Sequence, residues 1–210
     1  MEIANVAQCC ILFLALLISL TLHEWGYALA ADKLGDATPR SYGRVSLNPL
    51  VHIDLLGTII FPLLCIFLSP GIVFGWGKPV PINTMNFKKP QKGEMIVGLI
   101  GLLVHVVICL ICSAIIAFLP SLQVVACYTL LINSFLIVFN LLPLPSSDLF
   151  PAFKYLFKPS QEVIDFLTNW CFFIFLIAIN IPIVRIFLSV TCSSIFNFFM
   201  NLFSYLHRLF

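Results

Sequence analysis

Hydrophobic positions in this chain fall in long unbroken blocks, where the helices of a water-soluble protein would show one apolar stripe. Uncharged stretches run from Ile3 to Leu22, Leu55 to Gly77, Met95 to Ser147, Phe166 to Val184 and Ile186 to Leu206. About 20 apolar residues cross a bilayer as a helix, so each stretch is long enough to meet one. Leu119-Pro120-Ser121-Leu122-Gln123 splits the longest stretch and reads as a tight turn between two helices. The pattern predicts an all-α polytopic membrane protein with about five to six membrane segments, all in a single membrane domain over 1–210.

The polar positions place the joints. The first helix runs from Ile3 through Leu34, because Gly35-Asp36 is the first stop signal. Ala37 to Asp54 is a polar surface segment in which Tyr42, Val45 and Leu47 alternate as in a short β-like strand. Leu55 to Phe74 is apolar but interrupted by Gly57, Pro62, Pro70 and Gly71, and is the least helix-like of the membrane segments. Gly75 to Glu94, with four lysines and three prolines, is a loop in water or at headgroups. Met95 to Leu119 and Leu122 to Leu142 form a helical pair that ends in Pro143 and Pro145, just before Asp148. The last two runs, within 166–210, are parted only around Asn180, Pro182 and Arg185, and read as a hairpin or as one kinked element.

Composition sharpens this picture. Residues of the chain are 61% hydrophobic and 10% charged, against roughly 25% charged in soluble domains, so lipid is its main solvent. The first run lacks the basic start and small-residue cleavage site of a signal peptide, and is expected to stay in the mature protein. A net charge of +2, scattered among loops, gives nucleic acid no purchase. All eight cysteines sit inside apolar runs, where cysteine acts as a small hydrophobe, so no disulfide framework is expected.

Chemistry enters at Leu22-His23-Glu24-Trp25-Gly26-Tyr27, late in the first helix. Charged groups cost about 2.5–3.5 kcal/mol at mid-bilayer even on the lower scales, so ionisable residues there are functional candidates. A full His-Glu-x-x-His puts two imidazoles on one helical face to bind zinc, with the glutamate as base. Here Tyr27 stands at the second histidine position. Read alone, a His-Glu pair at a helix end is more often a hydrogen-bonded interfacial pair than a metal site, and Asn133 and Asn140 more often tie helices together than touch substrate.

Company around the pair narrows the choice. The runs from Leu29 to Arg40, Gly43 to Thr58, Phe74-Gly-Trp-Gly-Lys-Pro-Val-Pro-Ile-Asn83 and Asn140-Leu-Leu-Pro-Leu-Pro145 with Asp148 closely resemble the short bacterial site-2 proteases, zinc metalloproteases that cut inside the bilayer. The likeness covers most of residues 22 to 150, in the family's order. It implies Glu24 as catalytic base, His23 and Asp148 as zinc ligands, and Asn140 and Lys78 as substrate-side residues. It further implies a Zn²⁺ cofactor, a single-span membrane protein as substrate, and a multi-pass place in a bacterial inner membrane. The chain departs from the family at Tyr27, at His105 in place of an asparagine, and at Leu149 after Asp148.

Those departures leave three accounts of the third ligand. His105 takes the coordination place of Tyr27, the two hydrogen-bond to each other in a disabled site, or Tyr27 binds as a phenolate. They also admit two other functions: an inactive relative that captures transmembrane helices, and an ion or proton pathway through His23, Glu24 and Asp148. A metal shared by His23 and Asp148 needs both helix exits on one face, which the Met95–Leu119 and Leu122–Leu142 crossings already supply. Leu55 to Phe74 is therefore expected to dip into the membrane and return, leaving the basic residues from Lys33 to Lys158 on the cytoplasmic side.

Overall fold

The structure, a computed structural model, describes residues 3–68 and 75–207. Those residues form an all-α polytopic membrane protein. Its elements are α1 (Ile3–Lys33), α2 (Thr38–Ser41), α3 (Phe61–Leu68, entered through a wide turn over Leu55–Ile60), α4 (Pro90–Phe118), α5 (Gln123–Asn140), α6 (Phe150–Phe157), α7 (Gln161–Asn180) and α8 (Pro182–His207). Among the described residues four helices are long and apolar enough to cross a membrane: α1, α4, α5 and α8. α1, at 31 residues and 1.5 Å per residue, is roughly 46 Å long, more than the hydrocarbon core requires.

The core is a three-helix packing of α1, α4 and α5, with α8 laid against the last two. Leu12, Ala15, Leu16 and Leu20 repeat at helical spacing on α1 and bury against Ile132 and Leu136 of α5. Ile108, Cys109 and Cys112 of α4 meet Ala126, Leu130 and Ile137 of α5 and Phe199 of α8. Near the other end of α1, Ala31 packs with Val97 and Phe87, so α1 and α4 run antiparallel. All eight cysteine thiols are free.

Several boundaries moved. α4 begins at Pro90, five residues ahead of the apolar run, because proline is preorganised for the first helical turn and lacks an N–H that would go unpaired there. The alternation of Tyr42, Val45 and Leu47 makes no strand. Among the described residues no strand forms, since Gly43 turns the backbone left-handed (φ 66°) and no extended neighbour offers a ladder. The final runs are two helices parted at Ile181, where Pro182 opens α8.

The segment that leaves at Leu55 is back at its own start by Trp76. Trp76 N–H donates to Gly57 O at 3.1 Å, Thr58 Oγ1 donates to Trp76 O at 2.8 Å, and Lys78 N–H donates to His52 O at 2.8 Å. Residues 69–74 of that segment lie outside the described residues.

Asp36, wholly buried just past α1, ties the surface segments to the bundle. Its carboxylate accepts from Thr38 N–H and Thr38 Oγ1–H, from Asn83 N–H at 2.7 Å and from Asn86 Nδ2–H at 2.7 Å. Burial alone would raise the pKa of this carboxyl. The donors from Thr38, Asn86 and Asn83 outweigh it and hold the group below its ordinary range. A depressed carboxyl stabilises above its unfolded pKa, and that contribution is lost as pH falls through the folded value. Asp36→Ala is expected to cost on the order of 3 kcal/mol at neutral pH, by stranding several donors, and to flatten the acid limb of a thermal-unfolding scan in detergent. An unchanged acid limb would count against this role.

Candidate functional site

Three elements converge on one buried point. α1 carries His23 and Glu24 on adjacent positions, each 8% exposed. α4 passes beside them with Gly98, Gly101 and His105 on one face, at the three- and four-residue spacing that aligns side chains along a helix. The loop after α5 returns at once: Leu149 N–H donates to Asn140 O at 3.1 Å, Asp148 N–H reaches Asn140 Oδ1 at 3.4 Å, and Ser147 Oγ donates back to Leu142 O and Leu144 O. Asp148 is thereby held against α1 and α4.

The outcome is a contact across 125 residues of sequence: His23 Nε2–H donates to Asp148 Oδ2 at 2.7 Å. Glu24 Oε1 stands 3.6 Å from His23 Nδ1, beyond hydrogen-bond length, and that nitrogen is buried without a partner. The contact exists because Gly101 has no side chain. A Cβ there would lie 2.8 Å from His23 Nε2 and 2.9 Å from Asp148 Oδ2.

His105 lies face to face with His23, ring centroids 4.8 Å apart and planes 11° from parallel. Its Nδ1 is 2.8 Å from Asn133 Oδ1, while the Asn133 amide donates to Ser19 Oγ and to Thr129 O, each at 2.8 Å. His105 Nε2 is buried and unpartnered. The expected alternative of a bond between His105 and Tyr27 is therefore not what forms. Tyr27, one turn after His23, has its ring centroid 6.1 Å from that imidazole and packs with Ala31, Phe87 and Val97.

A roof of surface segment covers Glu24. Gly77 passes so close that a Cβ there would lie 3.0 Å from Glu24 Oε1. Lys78 is exposed beside it, its N–H bound to His52 O and its carbonyl accepting from the guanidinium of Arg44. Arg44 is 4% exposed. Burial pulls its pKa down, and the charge of Glu24 pulls it back up. Arg44 was not legible as a site residue: in the sequence it is one more basic residue of a polar loop, and only the fold turns it inward. Asn140 is buried with its side chain on Asp148, so its evident work is to hold that loop.

In kind, the donors suit zinc: an imidazole nitrogen and a carboxylate oxygen already share one point, and an adjacent glutamate is free to act as base. The third place is open. Among the described residues no three His, Cys, Asp or Glu side chains are gathered closely enough to hold an ion as they stand. The orphaned Nε2 of His105, beside His23, is nonetheless what an unfilled donor looks like in a buried site.

Comparison with known proteins points the same way. The chain is 29% identical over 185 residues to the Bacillus subtilis (strain 168) protein named "Putative zinc metalloprotease YwhC", covering 82% of this chain and 81% of that one. It is 30% identical over 182 residues to the Mycolicibacterium smegmatis protein named "Putative zinc metalloprotease Rip2". That match covers 79% of this chain and 65% of the relative's length. No family model matches the chain, and no solved structure matches it.

Proposed function

We propose that this protein hydrolyses peptide bonds within the membrane, as a zinc metalloprotease of the site-2 type. Two relatives named as zinc metalloproteases support the reaction class. The observation that carries it to this chain is the meeting of His23 and Asp148 at 2.7 Å, beside Glu24 and among membrane-spanning helices. A bound zinc ion supplies Lewis acidity for the attacking water and the scissile carbonyl. His23 and Asp148 are the chain's own donors for it.

Glu24 carries the proton. Its carboxylate accepts one as the water oxygen bonds to the carbonyl carbon, then delivers it to the amine nitrogen as the C–N bond breaks. The surrounding helices keep lipid out, while the roof at Gly77 and Lys78 controls approach from the polar side. An intact helix hides its carbonyls in its own hydrogen bonds, so the substrate must unwind locally. This favours a single-span membrane protein, entering near the exposed Lys78. The bacterial relatives favour a bacterial inner membrane, and the positive-inside rule puts the basic loops, and with them the site, toward the cytoplasm.

One observation favours a second reading, a relative that captures transmembrane helices without cutting them: Tyr27 is taken up in apolar packing and the His23–Asp148 pair is closed. Purified protein in liposomes with a single-span reporter separates the two. Cleavage inside the span, stopped by a chelator and restored by zinc, is the expected result. Reporter that co-purifies intact under zinc-replete conditions supports capture alone and sinks the protease reading.

A further inference from the structure

We propose that His105 supplies the third protein donor to the metal through Nε2, in place of Tyr27; the inference rests on the zinc-protease reading above. Catalytic zinc generally takes three protein ligands and leaves a fourth position for water. His23 and Asp148 make two. Tyr27 is the weaker candidate for the third: its ring packs against Ala31, Phe87 and Val97, with its centroid 6.1 Å from that of His23. A phenol is moreover a poor donor until it is ionised.

His105 meets the requirement on four counts. It is fully buried and lies beside the imidazole of a proposed ligand, with 4.8 Å between ring centroids; because the two rings are nearly parallel, the His105 ring must tilt for both nitrogens to face one ion. Its tautomer is fixed: the Asn133 amide nitrogen is spent on Ser19 and Thr129, so Asn133 Oδ1 can only accept, and the His105 proton must sit on Nδ1. Nε2 then holds an unshared pair with no partner, at a desolvation cost of about 1–3 kcal/mol that a core chosen only for packing would shed. Finally, helical side chains lean toward the helix N-terminus. Gly101, over which His23 Nε2 and Asp148 Oδ2 meet, lies on that side of His105, one turn earlier.

Asn133 has the part usual for a partner behind a metal-bound histidine: it binds the far ring nitrogen and so aims the near one. Ser19 and Thr129 in turn fix Asn133, so the arrangement reaches from α4 through α5 to α1. The cysteines of α4 do not compete. Cys109 and Cys112 bury in the apolar cluster with Leu130 and Phe199.

The test uses full-length protein in detergent, stripped with a chelator and titrated with zinc chloride alone, with metal content and X-ray absorption at the zinc edge as readouts. The unaltered chain is expected to take one zinc with two imidazoles in its first shell. His105→Gln, whose amide can still meet Asn133, should lower zinc affinity by about 100-fold or more while the metal-free protein melts as before. Asn133→Ala should weaken zinc by roughly 10–100-fold. Adding Tyr27→His to His105→Gln should bring binding back. If the unaltered chain binds zinc through one imidazole, or His105→Gln binds as tightly, His105 is not a ligand and the protease reading survives. If the unaltered chain binds no zinc, both fail.

Discussion

Glu24→Gln is expected to reduce cleavage of a single-span reporter by about 10²–10⁴-fold, with no loss of insertion, folding or zinc content. The amide has the size and planarity of the carboxylate, so the roof over it, where Gly77 allows backbone to pass close by, need not shift. What it lacks is the ability to accept the proton of the attacking water. Glu24 is also a largely buried charge, 8% exposed, whose Oε1 stands 3.6 Å from a histidine nitrogen. A buried carboxylate carries a desolvation cost that a neutral amide of the same shape escapes, so the substitution is not expected to lower stability. The signature is thus lost turnover with an equal or higher melting temperature. Undiminished turnover in the purified variant would remove Glu24 from the mechanism, and lost turnover with lost folding would assign it to structure.

The second large effect is expected at the glycines of α4. Gly101→Ala places a methyl group where the Cβ would lie 2.8 Å from His23 Nε2 and 2.9 Å from Asp148 Oδ2, closer than side chains come in practice. The pair must part, so zinc affinity and cleavage should both fall, by tenfold or more, while the helix itself gains propensity. Gly98→Ala meets the backbone oxygen of Asp148. A backbone atom in a loop tied to Asn140 cannot swing aside, so the cost goes into separating α4 from that loop, about 1–3 kcal/mol of stability. Leu103→Ala, on an exposed stretch of the same helix, is the control and should leave the site unaffected. Equal behaviour of Gly101→Ala and Leu103→Ala in zinc binding would show that the close approach at Gly101 is not needed.

Local features of the chain carried the architecture. The apolar runs, Gly35-Asp36, Pro120 and Pro143 each act within a few residues, so α1 and α5 followed from them to within a turn, while α4, α7 and α8 begin four or five residues ahead of their apolar runs and the short helices α2 and α6 were not anticipated. The short strand expected over Tyr42 to Leu47 failed for the opposite reason. Alternation is local, but a strand needs a partner, and none is there.

The candidate site divides in the same way. His23 and Glu24 could be singled out from sequence because a histidine and a glutamate are costly in an apolar membrane helix and mark function where they occur, and Asp148 because a family resemblance supplied the spacing. That His23 and Asp148 touch, that Gly101 makes room for them, that Arg44 turns inward to hold the segment over Glu24, and that His105 is oriented by Asn133 and not by Tyr27, only the tertiary structure decided. Helix periodicity and capping act over a few residues, so the chain displays them in order. Contacts that join positions 28 or 125 residues apart depend on how α1, α4 and α5 cross and on which small residues let them approach, and the 34-residue contact of Arg44 with Lys78 depends on how the surface segments fold back over them.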